Sequence, residues 1–155
     1  MKHLEWKCKR FDQLSNNQLY ELLKLRVDIF VVEQTCVYTE LDEKDRLPDT
    51  YHLMAYDNNQ LVAYARLLSA DTSYSDCSIG RFLVESTWRH QGIGSLLMQK
   101  CLEQITILWP ENDIRISAQV YLKEFYESFE FYQVSEPYLE DGIPHLEMLK
   151  NAPHD

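Results

Sequence analysis

Glycine is scarce in this chain, with only four among 155 residues, and two of the four, Gly92 and Gly94, stand one residue apart. Long apolar runs are absent. None approaches the ~20 residues that a membrane-spanning helix requires, and the opening MKHLEWKCKRF has no apolar core of the kind a secretory signal carries. The four cysteines, Cys8, Cys36, Cys77 and Cys101, are scattered and form no C-x-x-C pair. That spacing fits neither a zinc site nor a disulfide framework and points to reduced thiols in a cytoplasmic protein, with no metal expected. Positive charge is also in short supply: 15 Lys and Arg against 25 Asp and Glu give a formal charge of −10. Nucleic-acid binders need a basic footprint, so that class is excluded, and no membrane partner is expected. An acidic field serves solubility and also draws in cationic small molecules.

What remains is the length and composition of one soluble domain spanning 1–155, with its core at about 7–150. The pattern predicts a strand over 4–11, then a helix opened by Ser15 and Gln18 as a capping box, with Leu19, Leu23, Val27 and Phe30 at helical spacing to about 34. Residues 35–48 have no period and read as a loop rich in acids. Strands follow at 51–56 and 61–68 around an Asp57-Asn58-Asn59-Gln60 turn, then at 78–84. A helix begins near Gly94, with Ile93, Leu97, Cys101, Ile105 and Leu108 on one face, and stops at Trp109-Pro110. A strand over 114–120, an aromatic helix over 122–129 and strands at 131–135 and 145–149 complete a mixed α/β order rather than a regular βαβ alternation.

The richest stretch is 77–97, CSIGRFLVESTWRHQGIGSLL. A strand ends at Val84, and Arg89-His90-Gln91-Gly92-Ile93-Gly94 leads into the helix. A glycine turn feeding a helix N-terminus aims several unpaired N–H groups, and the positive end of the helix dipole, in one direction, which is a phosphate-binding arrangement. A P-loop would need Gly-Lys-Ser/Thr, and Gly92 is followed by Ile93-Gly94-Ser95. A dinucleotide turn would need a small residue at Leu97. Nicotinamide and flavin are therefore set aside.

Arg89-x-x-Gly92-x-Gly94 after a strand resembles the acetyl-CoA turn of the GNAT N-acetyltransferases, which reads Arg/Gln-x-x-Gly-x-Gly/Ala. Downstream, residues 119–131 are similar to the family's second motif. Tyr126 and Phe131 match it, while Gln119 stands for an asparagine and Glu130 for a glycine. A closer resemblance, to the ElaA-like subfamily, runs through Leu25-Arg26-x-x-Ile29-Phe30-Val31-Val32-Glu33-Gln34-x-Cys36-x-Tyr38-x-Glu40-x-Asp42-x-x-Asp45, His52, Ala65-Arg66-Leu67, Ile79-Gly80-Arg81 and Tyr138-x-Glu140-Asp141-Gly142-Ile143-Pro144-His145.

The resemblance implies the GNAT acyl-CoA acyltransferase fold, α/β of the α+β kind. Its mixed, mostly antiparallel central sheet has about six to seven strands and about four helices, and is splayed between strands 4 and 5. It implies acetyl transfer from acetyl-CoA, the cosubstrate, to a primary amine of a small molecule by direct attack in a ternary complex. The alternatives are a non-catalytic acyl-CoA-binding sensor and an autoinducer-synthase-like acyltransferase, for which the chain is short. The implied cofactor-binding set is Phe82, Leu83, Val84, Arg89, His90, Gln91, Gly92, Ile93, Gly94, Ser95, Gln119 and Tyr126. Main chain of 82–84 would pair with the pantetheine arm, and amides of 89–94 would hold the pyrophosphate. Tyr126 is the implied acid for the departing thiolate. Relatives carry a glutamate base where this chain has Arg81, which leaves Glu33, His52, Glu40 and His145 as candidates, with Glu33 and His52 taken with Tyr126 as the catalytic set. Arg26, Arg66 and Arg81 either pair with Glu33, Glu40, Asp42 or Asp45, or bind a substrate carboxylate, so the acceptor is cationic or amino-acid-like. A homodimer is common in this superfamily.

Overall fold

Ser15 and Gln18 form the capping box that their spacing predicts. Gln18 N–H donates to Ser15 Oγ at 3.1 Å, and Ser15 N–H donates to Gln18 Oε1 at 3.0 Å. In the computed structural model, which describes residues 3–153, this box opens the first of three α-helices set among eight strands. The order is β1 (Glu5–Arg10), α1 (Asn16–Val27), β2 (Tyr51–Asp57), β3 (Gln60–Leu68), β4 (Ser78–Val84), α2 (Ile93–Leu108), β5 (Ile114–Gln119), α3 (Lys123–Glu127), β6 (Tyr132–Gln133), β7 (Tyr138–Glu140) and β8 (Ile143–Lys150).

The first helix does not run on regularly to residue 34. It widens into a π-helical segment, Asp28–Glu33, which closes with Gln34 N–H on Ile29 C=O at 3.1 Å. Val27, Ile29, Val31 and Val32 are β-branched and crowd the preceding turn, and a wider turn relieves that crowding. The loop that follows carries a single 3₁₀ turn, Glu43–Arg46.

Two antiparallel sheets make up the framework: β1-β2-β3-β4, and a second in which β8 pairs with β5, β6 and β7. The β2–β3 hairpin turns on Asn58 and Asn59, with φ of 45° and 69°, as a two-residue turn of that handedness requires. The sheets are joined by a parallel bridge between Cys77 and Ile114, where Arg115 N–H donates to Cys77 C=O at 2.9 Å. Past this point no ladder between β4 and β5 forms among the described residues, and the expected splay opens. On one face, Leu97, Met98, Cys101 and Ile105 of α2 pack with Ala63, Ala65, Ile116, Ala118 and Met148. On the other, α1 buries Leu22 against Met54, Tyr56, Tyr64 and Leu83, with Ile29 beside it.

The C-terminal part departs from the sequence pattern in two places. The strand expected at 131–135 shrinks to Tyr132–Gln133, and Tyr138–Glu140, unremarkable in sequence, pairs with β8. Glu130, where the family motif has glycine, adopts φ of 70°, a left-handed conformation that glycine accepts more readily. Glu130 N–H bonds Glu127 C=O at 2.9 Å and Phe131 N–H bonds Tyr126 C=O at 3.2 Å, the paired closure that ends helices through a left-handed residue. Tyr126 therefore holds its register despite the missing glycine.

Candidate active site

The open side of β4 is prepared by a bulge. Arg66 faces Gly80 and Tyr64 faces Leu83, so Arg81 and Phe82 together oppose Ala65. Arg81 adopts φ of 50°, the conformation that lets one strand gain a residue. Beyond the bulge, Glu85 N–H donates to Val62 C=O at 2.8 Å. Alternation in an antiparallel ladder then turns the N–H and C=O of Val84 away from β3, toward the gap. The same alternation aims the main chain of Leu83 at Tyr64, so Leu83, expected to offer its amide to a ligand, faces the sheet instead.

The glycine turn follows. His90 (φ 62°) and Gly92 (φ 79°) are both left-handed, and nothing lies within 4 Å of a Cβ placed on Gly92. Leu96 N–H is the first amide of α2 to bond backward, to Gly92 C=O at 3.2 Å. The amides of Ile93, Gly94 and Ser95 are thus the free donors of a sixteen-residue helix. No side chain caps them. Arg89 Nε donates to Val84 C=O at 3.2 Å, and its two terminal nitrogens grip both oxygens of Glu33.

Between the splayed strands lies a cavity of about 500 Å³. Tyr126, Leu122, Gln119, Phe82, Tyr38, Tyr74, Glu140 and His145 are among the residues that line it. Tyr126 is packed edge-on by Phe125, Phe82 and Phe131, and burial pushes its phenol well above the usual range. Its hydroxyl makes no hydrogen bond to another described residue. The loop after α1 and the β7–β8 turn meet across the cavity, where the Cys36 thiol donates to Asp141 C=O at 3.4 Å.

That loop is pinned by three arginines. Arg26 Nε donates to Glu40 Oε2 at 2.6 Å and Arg26 Nη1 to Asp45 Oδ1 at 2.7 Å. Arg66 Nη1 reaches Asp42 Oδ1 at 2.7 Å and Asp45 Oδ1 at 3.0 Å. Arg81 Nε donates to Glu40 Oε2 at 2.9 Å, and Tyr38 OH also donates to Glu40. Three cations balance three carboxylates. Burial alone would raise the Asp45 carboxyl, but hydrogen bonds and charge from Arg26 and Arg66 hold it below the ordinary range.

The bulged strand and Tyr126 border one cavity, and the glycine turn that opens α2 follows that strand in the chain. Comparison with known proteins decides the matter: residues 24–152 match the acetyltransferase (GNAT) domain family. The chain belongs to the GNAT acetyltransferases. It is 43% identical over 149 residues to the protein ElaA of Escherichia coli, covering 96% of this chain and 97% of ElaA, which places it in the ElaA-like subfamily. The crystal structure of ElaA superposes with a TM-score of 0.91, covering 96% of this chain and 100% of ElaA at 42% identity. An acyl-CoA N-acyltransferase from Pseudomonas aeruginosa superposes with a TM-score of 0.92 at 42% identity, covering 96% of this chain and 99% of the other. An aminoglycoside 6′-N-acetyltransferase, solved in complex with coenzyme A, shares the fold at a TM-score of 0.70 and 16% identity, with 96% and 99% of the two chains covered. The protein is therefore an N-acetyltransferase of the GNAT type.

The residues expected to act in this GNAT site are not all brought together. Tyr126, Gln119 and Phe82 line the cavity, whereas Val84, Arg89 and residues 90–95 are not among its lining residues. His90, Gln91 and Ser95 are exposed. His52 is fully enclosed, with Nε2 donating to Asp45 C=O at 3.0 Å and Nδ1 accepting from Tyr64 OH at 2.6 Å, and it does not line the cavity. Burial lowers its pKa from the ordinary 6.5, so it sits neutral with both nitrogens in use. Glu33 also lies outside the cavity, and the hydrogen bonds from Arg89 hold its carboxyl below the usual range. Neither lines the cavity, and each is already hydrogen-bonded elsewhere. Glu40 is sealed by Arg26, Arg81 and Tyr38. Pattern reading also missed the polar group formed by Ser117, Tyr138 and Glu140. Ser117 Oγ lies 2.6 Å from Tyr138 OH and donates to Glu140 Oε1 at 3.1 Å. The faint signal for it was Tyr138-x-Glu140 before the Asp141-Gly142 turn.

Proposed function

We propose that this enzyme transfers the acetyl group of acetyl-CoA to the primary amine of a small, cationic molecule by direct attack in a ternary complex. The observation that carries this reading is Tyr126, an unpartnered hydroxyl on an enclosed side chain, facing one cavity with the open edge of β4. The free amides of Ile93, Gly94 and Ser95 fit a diphosphate, with Arg89 beside them. The outward N–H of Val84 fits a carbonyl of a pantetheine arm laid in as an added strand, while its C=O accepts from Arg89 Nε. When bound, acetyl-CoA supplies an activated acyl carbon. The chain supplies position and proton transfer: the raised pKa keeps the Tyr126 phenol protonated at neutral pH and able to donate to the sulfur as the C–S bond breaks.

The arginine cluster bears on the acceptor. Arg26, Arg66 and Arg81 are already matched by Glu40, Asp42 and Asp45. A substrate carboxylate would have to displace a buried carboxylate from them, which favours a cationic acceptor over an amino-acid-like one. Glu140 and Asp141 at the cavity are not matched in this way.

The test is release of free CoA from acetyl-CoA with a panel of diamines, aminoglycosides and amino acids, run for the native enzyme and Tyr126→Phe. Turnover with cationic amines, falling on the order of 10²-fold in Tyr126→Phe, is expected. Native enzyme that acetylates no amine would sink the functional reading. Undiminished turnover in the variant would remove Tyr126 as the acid.

A further inference from the structure

We propose that His145 is the general base that takes the proton from the acceptor's ammonium group. This rests on the acetyltransfer reading above and adds the residue that fills the place left by Arg81. His145 lies on β8 opposite Gln119 of β5, is 6% exposed, and lines the cavity that Tyr126 also lines. Its Nδ1 lies 2.7 Å from Ile143 C=O. A carbonyl only accepts, so Nδ1 carries the hydrogen, and in the neutral ring the lone pair is at Nε2. The Tyr138 ring stacks on it at 6.3 Å and 23°, fixing the plane of the imidazole. Glu140 Oε2 lies 3.4 Å from Nε2, where it neutralises the imidazolium once a proton arrives. Glu140 is in turn steadied by Ser117 Oγ, which also meets Tyr138 OH.

Tyr74 and Asp141 line the same cavity as this ring. Tyr138 and Glu140 face it from β7, and β5 offers the neutral Ser117 and Gln119. Glu147, two residues along β8, is engaged by Arg115 Nη1 at 3.3 Å. His145 is therefore the one imidazole among the described residues that lines the cavity, with Glu140 the side chain beside its Nε2.

The proton balance is complete. The acceptor R–NH₃⁺ gives one proton to Nε2, and this proton passes to solvent after turnover. The neutral amine attacks the thioester carbon, the C–N bond forms and the C–S bond breaks. The thiolate takes the phenolic proton of Tyr126, and the second proton leaving nitrogen restores that phenol.

Two variants separate this role from a structural one. In His145→Asn the amide nitrogen stands where Nδ1 stands and keeps the bond to Ile143 C=O, but nothing replaces Nε2. His145→Gln does the reverse geometrically and also lacks a base. Both are assayed with acetyl-CoA and acceptors of graded basicity, and the thermal shift on adding coenzyme A reports folding. With strongly basic amines, kcat is expected to fall by about 10²–10⁴-fold. The deficit should shrink for weakly basic amines that are already neutral at the assay pH, while the coenzyme A shift is unchanged. A loss of equal size for every amine, or no loss, overturns the assignment while native turnover keeps the acetyltransferase reading intact. Native enzyme that acetylates none of the amines overturns both.

Discussion

Arg26 and Glu40 meet in the interior, Nε to Oε2 at 2.6 Å, with side chains 0% and 2% exposed. Removing one partner of a sealed ion pair strands the other and costs about 3–5 kcal/mol. Arg26→Met should lose that much in urea unfolding. Because Arg26→Met leaves two arginines facing three carboxylates, with Glu40 kept only by Arg81 and Tyr38, adding Glu40→Gln to Arg26→Met should cost less than the sum of the two single changes. Strict additivity in the double-mutant cycle would refute the coupling.

Gly92 and Gly94 should respond in opposite ways. Gly92 sits at φ 79°, so Gly92→Ala is expected to destabilise by about 1–2 kcal/mol through backbone strain alone. Gly94 lies in the first turn of α2, and a Cβ there would stand 4.0 Å from Phe125 Cζ, an ordinary contact. Gly94→Ala should therefore raise Tm, through a helix-propensity gain of up to about 1 kcal/mol in stability. Both should raise the KM for acetyl-CoA, because a methyl group enters the phosphate cradle. Tm by calorimetry and KM by CoA release check the pair.

Glu33 competes for the guanidinium of Arg89. Arg89 holds the carboxyl below its usual range, so the grip persists into moderately acid solution and is released only as pH falls through that lowered value. Glu33→Gln should free Arg89 for the diphosphate, lower the dissociation constant for coenzyme A in calorimetry, and make it more sensitive to salt. An unchanged constant would mean that Arg89 does not reach the ligand.

His52 should be visible in the pH dependence of stability. Its folded pKa is depressed below the ordinary 6.5, chiefly by burial, so the unfolded chain binds the extra proton first. Stability is expected to fall as pH drops below about 6.5 toward that lower value. In His52→Gln this slope should be reduced, with other groups still titrating. Denaturant midpoints measured across that window give the comparison.

The legible parts of this fold are those whose cause is local. The Ser15–Gln18 box, the Asn58-Asn59 turn, β4 and the stop at Trp109-Pro110 each depend on residues close in sequence, and each stands where its pattern puts it. Tyr126 was readable because its motif keeps one register. The π-helical widening after Val27 was hidden, since apolar spacing alone does not distinguish it from a regular helix. The arginine cluster joins residues 14, 19, 21 and 41 positions apart, so its partners could be named only as a set. The state of His145 depends on a carbonyl two residues away and on a short strand, Tyr138–Glu140, that carries no pattern of its own.

The parallel contact of Cys77 with Ile114 has a mechanical meaning. Among the described residues, main-chain pairing stitches the two sheets at that end alone, and farther along the seam side-chain packing and the covering loops hold the halves in place. A ligand threaded through the opening would lace β4 to its surroundings where the protein leaves the edge bare. Loading a ligand there would also tighten the fold, and its release would loosen the same seam.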